Sequence, residues 1–139
     1  MYQRIMIIGN LGQDPELRYL PSGQAVTKLG VATTESWKDQ SGEKQERTTW
    51  WKVSVWGKQA ETCNQFLKKG SKVFVEGTMR GDEKGHTRTF QRQDGSWGAS
   101  YEMTAKDVRF MSPRSEGTGS NGSAEFEEAV AATEDDLPF

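Results

Sequence analysis

An all-β fold with a single helix is the class this sequence predicts, and three observations lead to it. Short apolar runs alternate with period two, only one stretch has helical spacing, and strands and helices do not alternate along the chain as a parallel α/β sheet requires. With 139 residues, the chain has enough material for one core. Its hydrophobic fraction of 33% is low for a chain folded throughout.

The first strand is expected at Ile5 to Ile8, which is apolar on both faces and stops at Gly9-Asn10-Leu11-Gly12. Two apolar faces imply a strand buried on both sides, with something beyond its own barrel covering one of them. After Pro15 and the turn Pro21-Ser22-Gly23, Thr27, Leu29, Val31 and Thr33 alternate with Lys28, Gly30, Ala32 and Thr34, as in a half-buried strand. A charged loop containing Gly42 is expected from Lys38 to Arg47.

From Thr48 to Gly57, alternation puts Trp51, Val53 and Val55 on the core face and Trp50, Lys52, Ser54 and Trp56 outside. Lys58 to Lys69 is the one convincing helix: Ala60, Cys63, Phe66 and Leu67 share a side, two lysines close it and Gly70 stops it. Val73, Val75 and Gly77 alternate in the next strand, which runs through Met79 and Arg80. Turn signals at 81–85 and 93–96 bracket Thr87 to Arg92, so this arm is expected to carry a small extra hairpin. In the last strand the apolar parity switches from Tyr101, Met103 and Ala105 to Val108 and Phe110, the mark of a bulge. Three strands, a helix and two strands make the element order of an OB-fold, a five-stranded Greek-key barrel with its helix between strands three and four.

Charge divides the chain in the same way. Residues 1–113 carry 17 Lys and Arg against 13 Asp and Glu, a balance of +4, and residues 114–139 carry one Arg against seven acids, a balance of −6. The net −2 therefore conceals a basic body and an acidic tail, an asymmetry common among nucleic-acid proteins. The organisation expected is a folded, self-associating domain over 1–111, a disordered linker over 112–133 poor in large apolar residues, and an acidic tip over 134–139. A single cysteine, Cys63, allows no intramolecular disulfide, and the N-terminal apolar run is too short for a signal or a membrane span, so a cytoplasmic chain is expected.

The outward face of the third strand carries the chemistry. Trp50, Lys52 and Trp56 lie along it with Lys28 on the adjacent strand; aromatic planes stack bases and cations meet phosphates. Such a face accepts single strands of any sequence, whereas a duplex hides the base faces it needs. Phe90 lies between Arg88 and Arg92 in the arm, where basic and aromatic residues interleave. Strict parity puts Trp37 inward with Leu29 and Val31, and only a bulge or a frayed end turns it out. Trp97 reads as a cross-strand packing residue. Arg4 and Lys72 complete the candidate phosphate contacts with Lys28, Lys52, Arg88 and Arg92. At the tip, Asp135, Asp136, Leu137, Pro138 and Phe139 pair acids with two apolar residues, a hook for a partner pocket with a basic rim.

Other chemistries find no support. With one histidine, His86, and one cysteine, there is no ligand pair at metal spacing and no nucleophile motif; no catalysis and no cofactor are expected. The glycine pattern at 117–122 has neither the strand nor the helix of a dinucleotide loop. An RNA-binding barrel of the cold-shock kind and a pure adaptor acting through its tail remain the competing classes.

With these residues in view, the chain closely resembles the bacterial and phage single-stranded DNA-binding protein family over residues 2–111 and the last six. The most specific stretches are Gly9-Asn10-Leu11-Gly12-Gln13-Asp14-Pro15-Glu16-Leu17-Arg18-Tyr19, Thr49-Trp50-Trp51-Lys52-Val53 with Trp56-Gly57-Lys58, and Leu67 to Gly77. The resemblance implies an OB-fold, a homotetramer that wraps single-stranded DNA, and a tail tip that recruits replication, recombination and repair proteins in the cytoplasm of a bacterium or a phage's host. It also implies that Trp37, Trp50, Trp56 and Phe90 stack bases. Trp56 stands where the family commonly has Phe, Phe90 where it has Trp, Leu137 where Ile is commoner, and Trp51 where a His often supports the subunit contact. Gly81 to His86 looks like an insertion.

Overall fold

The computed structural model describes residues 1–112, so the tip and, Ser112 apart, the linker expected from the sequence lie outside the described residues. The chain runs β1 (Ile5–Leu11), β2 (Glu16–Tyr19), β3 (Ala25–Lys38), β4 (Lys44–Trp56), α1 (Lys58–Phe66), β5 (Lys72–Met79), β6 (Thr89–Gln91), β7 (Trp97–Ala99) and β8 (Tyr101–Phe110). The main sheet has the order β1-β5-β8-β4-β3-β2, and a further pairing of β1 with β3 closes it into a five-stranded barrel of β1, β3, β4, β5 and β8. The helix stands between the third and fourth barrel strands, as in the OB-fold expected. All pairs are antiparallel except β4 with β8.

Two features let β1 serve both neighbours. It pairs with β5 from Ile5 to Asn10 and then meets β3 through Asn10 and Leu11. At the crossing stands Gly9, where a Cβ would fall 2.2 Å from the Ala32 carbonyl oxygen. The bulge expected in the last strand is present: Glu76 pairs with Asp107 but Gly77 with Ala105, leaving Lys106 as the extra residue. The parity of β8 reverses there, so both Met103 and Val108 reach the core.

The core is built from Leu11, Leu29, Val31, Val53, Val55, Val73, Val75 and Met103, and α1 closes one end with Ala60 and Cys63. Each fully buried aliphatic side chain of this kind contributes about 1.5–3 kcal/mol relative to exposure. The buried Thr27 hydroxyl donates to the Ala60 carbonyl at 2.7 Å and so ties β3 to α1.

Several expectations from the sequence are corrected. The helix ends at Phe66, not Lys69, because Leu67 leaves in an extended conformation and buries its side chain; Phe66 is exposed and meets Phe110 at 6.4 Å. The stretch Lys38 to Arg47 is a loop only from Asp39 to Glu43. Beyond it the strands continue as a long hairpin paired without interruption from Val26–Trp56 to Lys38–Lys44. Its residues are charged because the ribbon projects past the barrel and both faces meet water. Glu16–Tyr19 forms an unforeseen edge strand on β3; its side chains stay largely outside, so backbone pairing holds it and periodicity gives no signal. In β1, Ile7 is buried but Met6 and Ile8 are exposed within the single chain. Tyr101, expected inward, lies exposed at the start of β8.

Candidate nucleic-acid interface

The outward row of β4 is as alternation predicts, with Val53 and Val55 buried and Trp50, Lys52, Ser54 and Trp56 on the other side. Register explains why the row is accessible. Ala32 stands opposite Trp50 and Gly30 opposite Lys52, so β3 offers a low floor beside the two larger side chains. Lys28 is exposed opposite Ser54 and adds a cation to the same face. Trp50 keeps 41% of its surface accessible, whereas Trp56, across from Val26 near the helix, is half-buried.

The arm completes this face. β6 and β7 form the expected small hairpin around a turn in which Asp94 accepts hydrogen bonds from the amide and hydroxyl of Ser96, at 2.9 and 2.6 Å. These bonds hold the Asp94 carboxyl below the usual carboxylate range. Phe90 is 41% exposed, with the Lys52 ammonium 5.2 Å and the Arg92 guanidinium 5.4 Å from its ring centre. Its cross-strand partner is Gly98, where a Cβ would come within 2.8 Å of the ring, so the glycine seats the aromatic. Arg92 also donates to the Trp97 carbonyl at 2.9 Å, which fixes the guanidinium beside Phe90.

Arg88 anchors the arm to the barrel. Its Nε lies 3.2 Å from Glu102 Oε2, an ion pair without hydrogen-bond alignment, and its carbonyl accepts from the Ser100 amide. The structure thus brings Lys52, Phe90 and Arg92 together, with Trp50, Trp56 and Lys28 on the adjoining face. Arg4 stands ahead of β1, 3.2 Å from Glu76, and Lys72 opens β5 opposite Asn10, which in turn pairs with Ala32 of β3, the register partner of Trp50.

Trp37 corrects the parity argument. It stays on the parity of Leu29 and Val31, with neither bulge nor fraying, yet is 41% exposed because its part of the hairpin has passed beyond the barrel. Arg47 lies over its ring at 5.1 Å. Sequence reading missed Arg47 because it assigned the residue to a loop; alternation carried on through the hairpin puts it on the face of Trp37. Trp51 is partly buried against the core, donates to Thr33 Oγ1 at 3.1 Å and meets Tyr101 at 5.4 Å. Trp97, expected to pack across strands, is 68% exposed, because its register partner on β6 is Gln91 while the arm's cationic face is built around Phe90. Among the described residues, no cluster of three or more His, Cys, Asp or Glu could hold a metal ion.

The model of the single-strand binding protein family matches residues 2–111. The chain belongs to that family. Among curated relatives of this family member, the single-stranded DNA-binding proteins of Neisseria meningitidis serogroups A and B are each 38% identical over 116 residues, 84% of this chain. The matched region spans 63% of each relative's length. Among solved structures, a Plasmodium falciparum SSB in complex with ssDNA superposes with a TM-score of 0.63 at 25% identity, covering 81% of this chain and 96% of that one. A deletion mutant of the single-stranded DNA-binding protein from Thermus aquaticus gives 0.61 at 26% identity, covering 81% and 52%.

Proposed function

We propose that this chain binds single-stranded DNA with little regard to sequence and without catalysis. The observation that carries the reading is the outward row Trp50–Lys52–Trp56 on β4 with Phe90 laid beside Lys52. Trp37, Trp50, Trp56 and Phe90 stack bases; Lys28, Lys52, Arg88 and Arg92 meet phosphates. Arg4 and Lys72 are the remaining candidates for phosphate contact. Stacking is worth about 1–3 kcal/mol per base and every base has a π-face, which gives affinity without selectivity. The names of the relatives support the same ligand.

The chain is also proposed to act as a homotetramer in replication, recombination and repair in the cytoplasm. Exposed Met6 and Ile8 beside Phe74 form an apolar strip on β1 and β5 that favours burial against another copy. The tip Asp135 to Phe139 recruits partner proteins. Deleting it is expected to abolish their capture while DNA affinity stays level or rises, since the acids compete weakly with phosphate; loss of DNA binding contradicts this division of labour.

The ligand is tested by fluorescence anisotropy with labelled oligo(dT), oligo(U) and a duplex of equal length. Tight binding of oligo(dT), weaker binding of oligo(U) and weak, salt-sensitive binding of duplex are expected. Equal affinity for duplex overturns the reading, and preference for oligo(U) moves it to RNA.

A further inference from the structure

The overhanging end of the β3–β4 hairpin holds a side-chain arrangement that the aromatic row on β4 does not include. Trp37 pairs in register with Gln45, and Glu35 pairs with Arg47, so Trp37 and Arg47 are diagonal neighbours on one face of the ribbon. A diagonal pair is within reach only of long or aromatic side chains, and both residues qualify. Arg47 takes that contact: its guanidinium carbon lies 5.1 Å from the Trp37 ring centre. The choice is informative because Glu35 stands directly opposite Arg47, yet no described acid lies within salt-bridge distance of it. Glu35, Ser36, Trp37 and Arg47 together line an open depression.

A guanidinium carries five N–H donors, so one held near a ring at this distance still has donors to offer a phosphate. Trp37 keeps 41% of its surface accessible, and no described carboxylate lies within salt-bridge distance of the arginine. We propose that Arg47 is a DNA-contacting residue which, with Trp37, forms a single-nucleotide subsite: Trp37 stacks the base and Arg47 binds its phosphate. The subsite lies beyond the barrel, on the ribbon face opposite that of Trp50, since Trp50 pairs with Ala32 on the other parity. A strand bound at both places therefore crosses the edge of the hairpin. The inference rests on the reading of this chain as a single-strand binder, and it adds a cation at the hairpin overhang.

The test measures oligo(dT) affinity of the full chain against salt concentration for wild type, Arg47→Ala, Arg47→Lys and Trp50→Ala. Arg47→Ala is expected to bind several-fold more weakly, with the slope of log K against log[salt] shallower by about 0.7, the loss of one phosphate contact on a single strand. Arg47→Lys keeps the charge and is expected to keep the slope. Wild-type affinity and slope in Arg47→Ala, or tighter binding than wild type, overturns the subsite, the latter making Arg47 a cover over Trp37. If Trp50→Ala weakens binding and Arg47→Ala does not, only the subsite fails; if wild type does not bind oligo(dT), the proposed function itself has failed.

Discussion

Trp50 combines outward parity, a small neighbour in Ala32 and a side chain that is 41% exposed, so its replacement tests the stacking role without touching the core. Trp50→Ala is expected to weaken oligo(dT) binding by about 1–3 kcal/mol with thermal stability little changed; normal affinity in an equilibrium titration removes it from the site. Cys63 makes the opposite case, a residue whose chemistry the fold suppresses. Burial on the inner side of α1 pushes its thiol up to about 11, against an ordinary value of 9.0. The folded chain thus binds that proton more tightly than the unfolded one, and the resulting loss of stability sets in above about pH 9 and grows toward pH 11. Alkylation of Cys63 at pH 8 is expected to be slow in the native protein and fast in denaturant. Rapid native labelling contradicts the burial.

At the scale of elements, the barrel leaves no room for a Cβ at two glycines, Gly9 and Gly77. A Cβ at Gly77 would meet the Thr104 carbonyl oxygen at 2.0 Å, next to the bulge at Lys106. Gly77→Ala is expected to destabilise the fold by about 1–3 kcal/mol, read from the midpoint of denaturant unfolding. An unshifted midpoint shows that β5 and β8 can separate there without cost. The barrel strands were legible in the sequence because Leu29 and Val31, Val53 and Val55, and Val73, Val75 and Gly77 recur at period two, even with Phe74 on the other parity, and the bulge was legible as a change of parity. The ribbon from Lys38 to Arg47 was not, since a strand pair with water on both faces leaves no hydrophobic period to read. That blind spot hid Arg47 and gave the wrong environment for Trp37, although its parity was right. β2 was hidden for the same reason, while Phe66 was misplaced because a helix of nine residues ends before its apolar side is complete.

For the whole molecule, the basic body and acidic tail are a property of charge distribution that net charge conceals, and the aromatic face belongs to the body alone. The separation allows one chain to hold DNA with its barrel and a protein with its tip, both under the proposed function. Ionic contacts make the DNA affinity fall with salt, whereas stacking contacts make it depend on accessible bases. Intrinsic tryptophan fluorescence reports the second directly, because Trp37, Trp50 and Trp56 are three of the five tryptophans in the chain. Titration with oligo(dT) at moderate salt is therefore the decisive measurement. Strong saturable quenching, diminished in Trp50→Ala and absent with duplex of equal length, is the expected result; saturable DNA binding with no quenching would contradict a face that works by stacking bases.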